Sequence, residues 1–477
     1  MKRRGTKAYF AANLLVQVVG LLRFILLARF LGAEELGVAA MLILTAQFFQ
    51  SVSDTGSDRF LIQDEDGDSP VMQGMIHGVL ALRGVLICLA LILFGGPVAR
   101  LFNEPELTMS FIGLSLAPLI GGFTHLDLRR VQREGDFRPE SWGLIVAEPL
   151  GLICTVAAAA ITHDHTAVIY GLTARALGQT VVSHLTAERP YRWAWSKPMW
   201  DRFSGFAMPL FLNGLLLFFG SQGDRVLIGA NLGSTALGHY SAILLLIYYP
   251  SGMLTRFLVG ISLPPVARAR NDPERFQEET NRLGGRTLLL ALSMMFGFAL
   301  VAPVSTVLFY GKSFAQPLEL FALIGALQSA RFLRTWLTTI ANSIGKSTII
   351  LLNNVARLLG LGAALLVNQL FHSLDAIVIS FILGEVASLL VALALLRRAN
   401  AVSINRELGR VLIFLAGCAA AVACAWTLEA RWYGFLAAAG AFTAAYAVLL
   451  LRSERNVISE LVDYASRRVR KALARPR

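Results

Sequence analysis

Charge is what this sequence has least of. Across 477 residues only 16% are Asp, Glu, Lys or Arg, against about 25% in an ordinary soluble domain. A soluble chain of this length would be divided among domains by polar linkers, and no long polar linker interrupts it. Acidic residues are the scarcer sign, 31 against 43 basic. The four cysteines, Cys88, Cys154, Cys418 and Cys424, all fall in apolar runs. That excludes a disulfide framework of the secreted kind and leaves them as small packing residues.

What fills the chain instead is hydrophobic. Apolar and aromatic side chains make up 55% of it, and the mean hydropathy is +0.60. They come in blocks of about 20, the length a helix needs to cross roughly 30 Å of hydrocarbon. The expected fold class is an all-α polytopic membrane protein with about fourteen spans. Six are expected near 8–30, 36–60, 71–95, 107–127, 141–161 and 166–186. Six more are expected near 203–230, 236–263, 287–310, 318–343, 347–370 and 374–397, and a final pair near 409–428 and 432–451. The basic opening MKRRGTK precedes an apolar stretch too long for a cleaved signal, and no small-x-small site ends it. The first span is therefore expected to be retained.

Lys and Arg favour the cytoplasmic side of a membrane. With the N-terminus inside, 31 of them fall on the cytoplasmic face and three, Arg100, Lys312 and Arg431, on the other. Both termini are expected inside. The net charge of +12 thus reads as a topology signal in short loops rather than as a nucleic-acid surface. In the tail, Val457, Ile458, Leu461, Val462, Ala465 and Val469 recur at near-helical spacing among basic residues. That suits an amphipathic helix on an anionic leaflet, with a plain disordered tail as the alternative.

The chain repeats itself. LGAEELG at 31–37 returns as LGSTALG at 232–238, each time joining the first and second spans of a half. The aromatic and basic stretch AERPYRWAWSKPMWDR (187–202) divides six spans from six. The expected organisation is an N-terminal six-helix lobe (1–186), a cytoplasmic linker (187–202), a second six-helix lobe (203–400), an extra helix pair (401–452) and a basic tail (453–477). Paired halves with a site between them near the midplane are a common transporter plan.

Two halves that open with the corners RFLGAEELG and NLGSTALG resemble the MOP exporter superfamily. The segment NLLVQVVGLLRFILLARFLGAEELGVAAMLILTAQFFQSVSDTGSDRFLIQ, with small residues and DTG ending the second span, resembles its polysaccharide transporter branch, the Wzx-type flippases. The resemblance covers residues 1 to about 400. It implies a V-shaped alternating-access transporter in a bacterial inner membrane, with no catalysed reaction. Its cargo would be a sugar unit linked to undecaprenyl pyrophosphate, for lipopolysaccharide, capsule or exopolysaccharide. The polymerase and chain-length proteins of such a pathway would be its partners.

An ionised group at the centre of a membrane costs about 2.5–3.5 kcal/mol on insertion scales, so each one is a functional candidate. The basic residues in or near spans are all arginine: Arg23, Arg29, Arg83, Arg175, Arg225, Arg256, Arg331, Arg334 and Arg357. The acids are Asp54, Asp58, Glu148, Asp224 and Glu385. Arginine stays charged and bonds phosphate through two parallel N–H groups, which suits a pyrophosphate headgroup. Asn13, Gln17, Gly20 and Arg23 share one stripe, and Gln47, Gln50, Asp54 and Asp58 another. Arginines of the first and eighth helices surround the headgroup in related flippases, so the resemblance points first to Arg23 and Arg256. Arg225 follows, with Arg331, Arg334 and Arg357 as a patch for an anionic sugar or as residues near the cytoplasmic end. Asp54 and Asp224 read equally as site residues or as structural ion pairs. Arg29, beside the first corner, reads as a residue snorkelling to the interface.

No cofactor is implied. A coupling ion, H+ or Na+, would need a carboxylate, and Glu148, followed by Pro149, and Glu385 are the candidates; each is as readily the counter-ion of an arginine. Three motifs fail. IGKST (344–348) and YGKS (310–313) lack the earlier glycine of a phosphate loop, with Ile340 and Thr306 in its place, and HDH (163–165) has no third ligand nearby. Trp193, Trp195 and Trp200 suit an interfacial belt. A peptidoglycan-precursor flippase is the nearest alternative function. A drug or cation antiporter would present acids rather than arginines. A membrane polymerase or ligase would need a large outer loop, and the outer loops here are short.

Overall fold

The computed structural model describes residues 5–427 together with 440, 441 and 448. The expected basic tail, and the rest of the expected span 432–451, lie outside the described residues. Among the described residues the chain is helical and has no strand. Eight of its helix runs are long and apolar enough to cross a membrane.

The repeat survives into backbone geometry. Helix α1 (Thr6–Val52) carries the first two expected spans and is broken only at Gly32, φ 78°, ψ −175°. Helix α9 (Lys197–Arg268) carries the seventh and eighth and breaks at Gly233, φ 84°, ψ 179°. That region is all but closed to residues with a Cβ, so each first glycine of LG-x3-LG turns the chain in a single residue. The second glycines serve packing. A Cβ on Gly37 would lie 1.7 Å from the Ser234 carbonyl oxygen, and one on Gly238 would lie 1.9 Å from that of Ala33. Positions 33 and 234 stand as far apart in sequence as 37 and 238, so the two corners meet reciprocally. Leu36 and Leu237, also equivalent, are both fully buried.

Polar contacts fasten the first corner. Glu35 Oε2 accepts the His165 backbone N–H and lies 2.8 Å from His165 Nδ1, while His165 Nε2 lies 2.9 Å from Ser110 Oγ. Arg29 donates to the carbonyls of Leu308 and Phe309. It therefore caps the C-terminal end of α10 (Pro273–Tyr310), where a cation meets unpaired carbonyls.

Two expected spans differ in detail. The second ends at Val52 rather than near 60. Asp54 Oδ1 accepts the Gly56 N–H at 3.0 Å, Gly56 is left-handed (φ 65°), and a new helix, α2 (Ser57–Gln63), starts there. This is a side-chain-closed turn of the kind Asp and Gly favour. The fourth is split into α4 (Thr108–Gly113) and α5 (Leu116–Gly121). Pro118 has no N–H for the Leu114 carbonyl and its ring crowds it.

Glycine also sets how helices cross. Helix α3 (Pro70–Leu101) meets the chain after α5 at Gly84, where a Cβ would lie 2.9 Å from Gly122 Cα. Helices α7 (Arg138–Thr162) and α8 (Ala167–Leu185) cross at Gly151 and Gly171, where a Cβ on either would lie 3.0 Å from the other's carbonyl oxygen. In the second half α12 (Ser347–Phe371) and α13 (Leu374–Arg398) cross at Gly360 and Gly384, again with no space for a side chain. The remaining long helices are α11 (Leu318–Ser343) and α14 (Ile404–Thr427).

The chain between α8 and α9 is held by a short helix, α6 (Asp127–Arg133), outside the apolar runs. Asp127 is fully buried, takes Arg130 Nε at 2.6 Å and accepts the Glu188 N–H at 2.8 Å. Burial alone would raise its pKa. The Arg130 and Glu188 hydrogen bonds outweigh burial and pull it from 3.8 down to about 2.

Two compact units result. One holds the chain up to Tyr249 with 304–315 and 357–384; the other holds 250–303, 316–356 and the stretch from Glu385.

Candidate functional site: an arginine and carboxylate knot beside a cavity

The glycine crossing of α7 and α8 places charge. Glu148 lies one turn before Gly151, and Arg175 one turn after Gly171. Because the helices touch there, Arg175 Nε reaches Glu148 Oε1 at 2.5 Å. Arg23 comes from the first arm of α1, and its Nη2 lies 3.1 Å from Glu148 Oε2. Gly151 leaves space for both cations: a Cβ there would lie 2.9 Å from Arg175 Cβ and 3.3 Å from Arg23 Nη2. Helix α7 continues through Pro149, which has no N–H for the Ile145 carbonyl. One buried carboxylate thus serves two guanidinium groups, and the knot carries one surplus positive charge. Arg23 and Glu148 form its buried pair, and removing one partner of a buried pair costs about 3–5 kcal/mol because it strands the other.

Exposure separates the three members. The Glu148 side chain is 4% exposed, that of Arg23 17% and that of Arg175 44%. Arg175 forms part of the wall of a cavity of about 520 Å3, a size suited to a ligand headgroup. The same lining includes Arg83, Gln50, Asp54 and, one turn after Arg175 on α8, Gln179. Arg83, on α3, donates to the Gln50 carbonyl and to Ser53 Oγ, both at 2.9 Å, at the C-terminal end of α1, where the helix dipole favours a cation. Arg129, from α6, completes the wall, held by Asp58 and Glu140 at 2.9 Å each. Burial disfavours its charge, yet the two carboxylates raise its pKa further.

The other sequence candidates are placed as follows. Asp54 and Asp58 line the cavity with Gln50, although the helix carrying Gln50 ends before them. Asp224 is fully buried and accepts the Tyr240 hydroxyl at 2.6 Å; Arg225 beside it is buried too. Arg357 donates to the Gly220 carbonyl at 2.5 Å. In the second unit Glu385 stands between two arginines, 3.5 Å from Arg331 Nε and 3.3 Å from Arg334 Nε, while Arg334 also donates to Asn354 at 3.2 Å. Gln328 donates to Ser251 at 2.8 Å. Arg256 is exposed on α9 and does not line the cavity. The sequence marks Arg23 and Glu148 as candidates without pairing them, counts Arg83 and Arg175 only among the intramembrane arginines, and does not single out Arg129 or Gln179, which the cavity lining adds. The one local signal for Arg175 is the glycine one turn before it.

Comparison with known proteins bears on the family and the fold. The profile of a family described as "Polysaccharide biosynthesis protein" matches residues 26–319. Among curated relatives, the succinoglycan biosynthesis transport protein ExoT of Rhizobium meliloti (strain 1021) is 24% identical over 302 residues, 63% of this chain and 60% of that protein. The lipopolysaccharide biosynthesis protein WzxC of Escherichia coli (strain K12) is 19% identical over 330 residues, 68% of this chain and 67% of that one. Among solved structures, the lipid II flippase MurJ in an inward closed conformation superposes with a TM-score of 0.69, covering 93% of this chain and 99% of that one at 11% identity. An inward-facing multidrug resistance MATE family transporter of the MOP superfamily gives 0.61 over 84% and 96%, at 13% identity. At such identities the structural matches show the fold.

Proposed function

The chain belongs to the polysaccharide biosynthesis protein family, and from that premise we propose that it flips a lipid-linked oligosaccharide across the bacterial inner membrane for surface polysaccharide synthesis. The cargo is an undecaprenyl-pyrophosphate sugar, taken from the cytoplasmic leaflet and presented outside by alternating access of two six-helix lobes. Both termini face the cytoplasm and the glycine corners face outward, as the distribution of Lys and Arg favours.

The observation that carries this reading is Arg175 on the cavity wall, part of a knot with surplus positive charge, with Arg83 in the same lining. Two guanidinium groups around one small space suit a diphosphate, because each can bond two of its oxygens at once. Asp54, Gln50 and Gln179 supply acceptors and donors for sugar hydroxyls. Glu148 and Glu385, each held between two arginines, act as counter-ions in this state; an H+ or Na+ gradient drives the cycle through them. No bond of the cargo is made or broken. A drug-cation carrier fits this cavity poorly, since its lining has more arginines than carboxylates. The fold match to the lipid II flippase favours a second reading, a peptidoglycan precursor, whose pyrophosphate would use the same arginines.

Deleting the gene distinguishes them. Loss of one surface polysaccharide with growth intact, rescued by the wild-type gene but not by well-expressed Arg175→Ala or Arg23→Ala, supports the proposal. Lethality with lipid precursor accumulating selects the second reading. Intact glycan with altered drug sensitivity overturns both.

A further inference from the structure

The knot is unequal in a way that suggests a moving part. Arg23 and Glu148 are the enclosed pair; Arg175 is the exposed member and the one that forms cavity wall. Arg175 binds Glu148 through Nε, and the Nη1–Nη2 edge of its guanidinium makes no hydrogen bond among the described residues. That edge is one that can take two phosphate oxygens side by side. Glu148 also holds Arg23 through its other oxygen, so it does not lose its last counter-ion when Arg175 leaves.

We propose that Glu148 is a built-in competitor for Arg175. Before cargo arrives it holds the guanidinium at the cavity wall. A phosphate entering the cavity takes Arg175 over, and Arg23 stays behind to neutralise Glu148. When the cargo leaves, Glu148 draws Arg175 back, which keeps the site from holding its anion too tightly to release. Glu148 is in this sense a positioning residue that acts through Arg175. The inference rests on the proposed function, because it assumes a phosphate-bearing ligand.

The sign of the effect separates this from a merely structural role. If Glu148 only braced the helices, removing its charge would weaken anion binding. As a competitor, its removal strengthens binding and slows release. The test is calorimetric titration of inorganic pyrophosphate into the full-length protein in lipid nanodiscs. Relative to wild type, Glu148→Gln binds about tenfold more tightly, within the range of ordinary intramolecular couplings, and Arg175→Gln binds at least about tenfold more weakly. In the Arg175→Gln background, adding Glu148→Gln leaves affinity unchanged. Should Glu148→Gln not fold, Glu148→Asp, whose shorter side chain releases Arg175, replaces it with the same expected direction. Affinity equal to or weaker than wild type in the folded Glu148 variant overturns the exchange and leaves the proposed function standing. Pyrophosphate bound by neither wild type nor any variant overturns both.

Discussion

Glu148 and Arg23 are separated by 125 residues, and Glu148 and Arg175 by 27. No local pattern in the sequence reports either contact. Membrane cost alone flags each residue as a candidate, which is why Arg23 and Glu148 were legible. Helix number could not show which arginines share a carboxylate, and for that reason Arg175 and Arg83 did not stand out from the other seven. The meeting of Arg23 and Arg175 at Glu148 depends on Gly151, beside whose missing side chain both arginines lie. Gly151→Val is therefore expected to displace Arg175 and to lower pyrophosphate affinity at least about tenfold, an outcome within the usual effect of moving a coupled group; unchanged affinity would detach the glycine from the site. Asp127 carries a pH prediction. Its pKa lies below the ordinary carboxylate value, so its contribution to stability is present above about pH 4 and is lost as pH falls toward about 2. Asp127→Asn is expected to melt lower than wild type at pH 7, and the gap should narrow over that acid range. A gap that stays constant down to pH 2 would remove Asp127 from the linker's anchorage.

At the scale of helices, hydrophobic block length marked out the helical regions, and eight runs among the described residues are long and apolar enough to cross a membrane, because crossing hydrocarbon fixes length more firmly than any propensity does. Block length said nothing of the breaks inside them. The turn at Asp54–Gly56 and the split before Pro118 come from one or two residues within otherwise apolar runs. The corners were legible as glycine motifs, but their reciprocal contact was not, since it joins residues 201 positions apart through backbone oxygens. Two predictions belong here. Gly233→Ala places a Cβ where the backbone all but forbids one and is expected to cost about 1–3 kcal/mol, read as a lowered thermal midpoint in detergent. Gly37→Ala and Gly238→Ala press on the same contact from its two sides. Their effects on the midpoint should be less than additive, because either alone already forces the corners apart. Strict additivity would mean that the two glycines do not share one contact.

Across the whole molecule, scarcity of charge set the class and its signs set the chemistry. A chain that carries few charges, keeps arginine rather than lysine inside its spans and places two of them, Arg83 and Arg175, in one cavity lining is suited to an anion that must leave water. The family match fits that cargo, and the paired corners fit a machine of two related halves. The most direct measurement uses proteoliposomes containing the purified protein and a fluorescent undecaprenyl-pyrophosphoryl sugar, read by the fraction of label that a membrane-impermeant quencher reaches with time. The account predicts that wild type exposes inner-leaflet label well above the rate of protein-free vesicles, while Arg175→Ala falls to about a tenth or less of the wild-type gain, the scale expected when a charged anchor of this kind is lost. Wild type no faster than empty vesicles, or Arg175→Ala as fast as wild type, would contradict it.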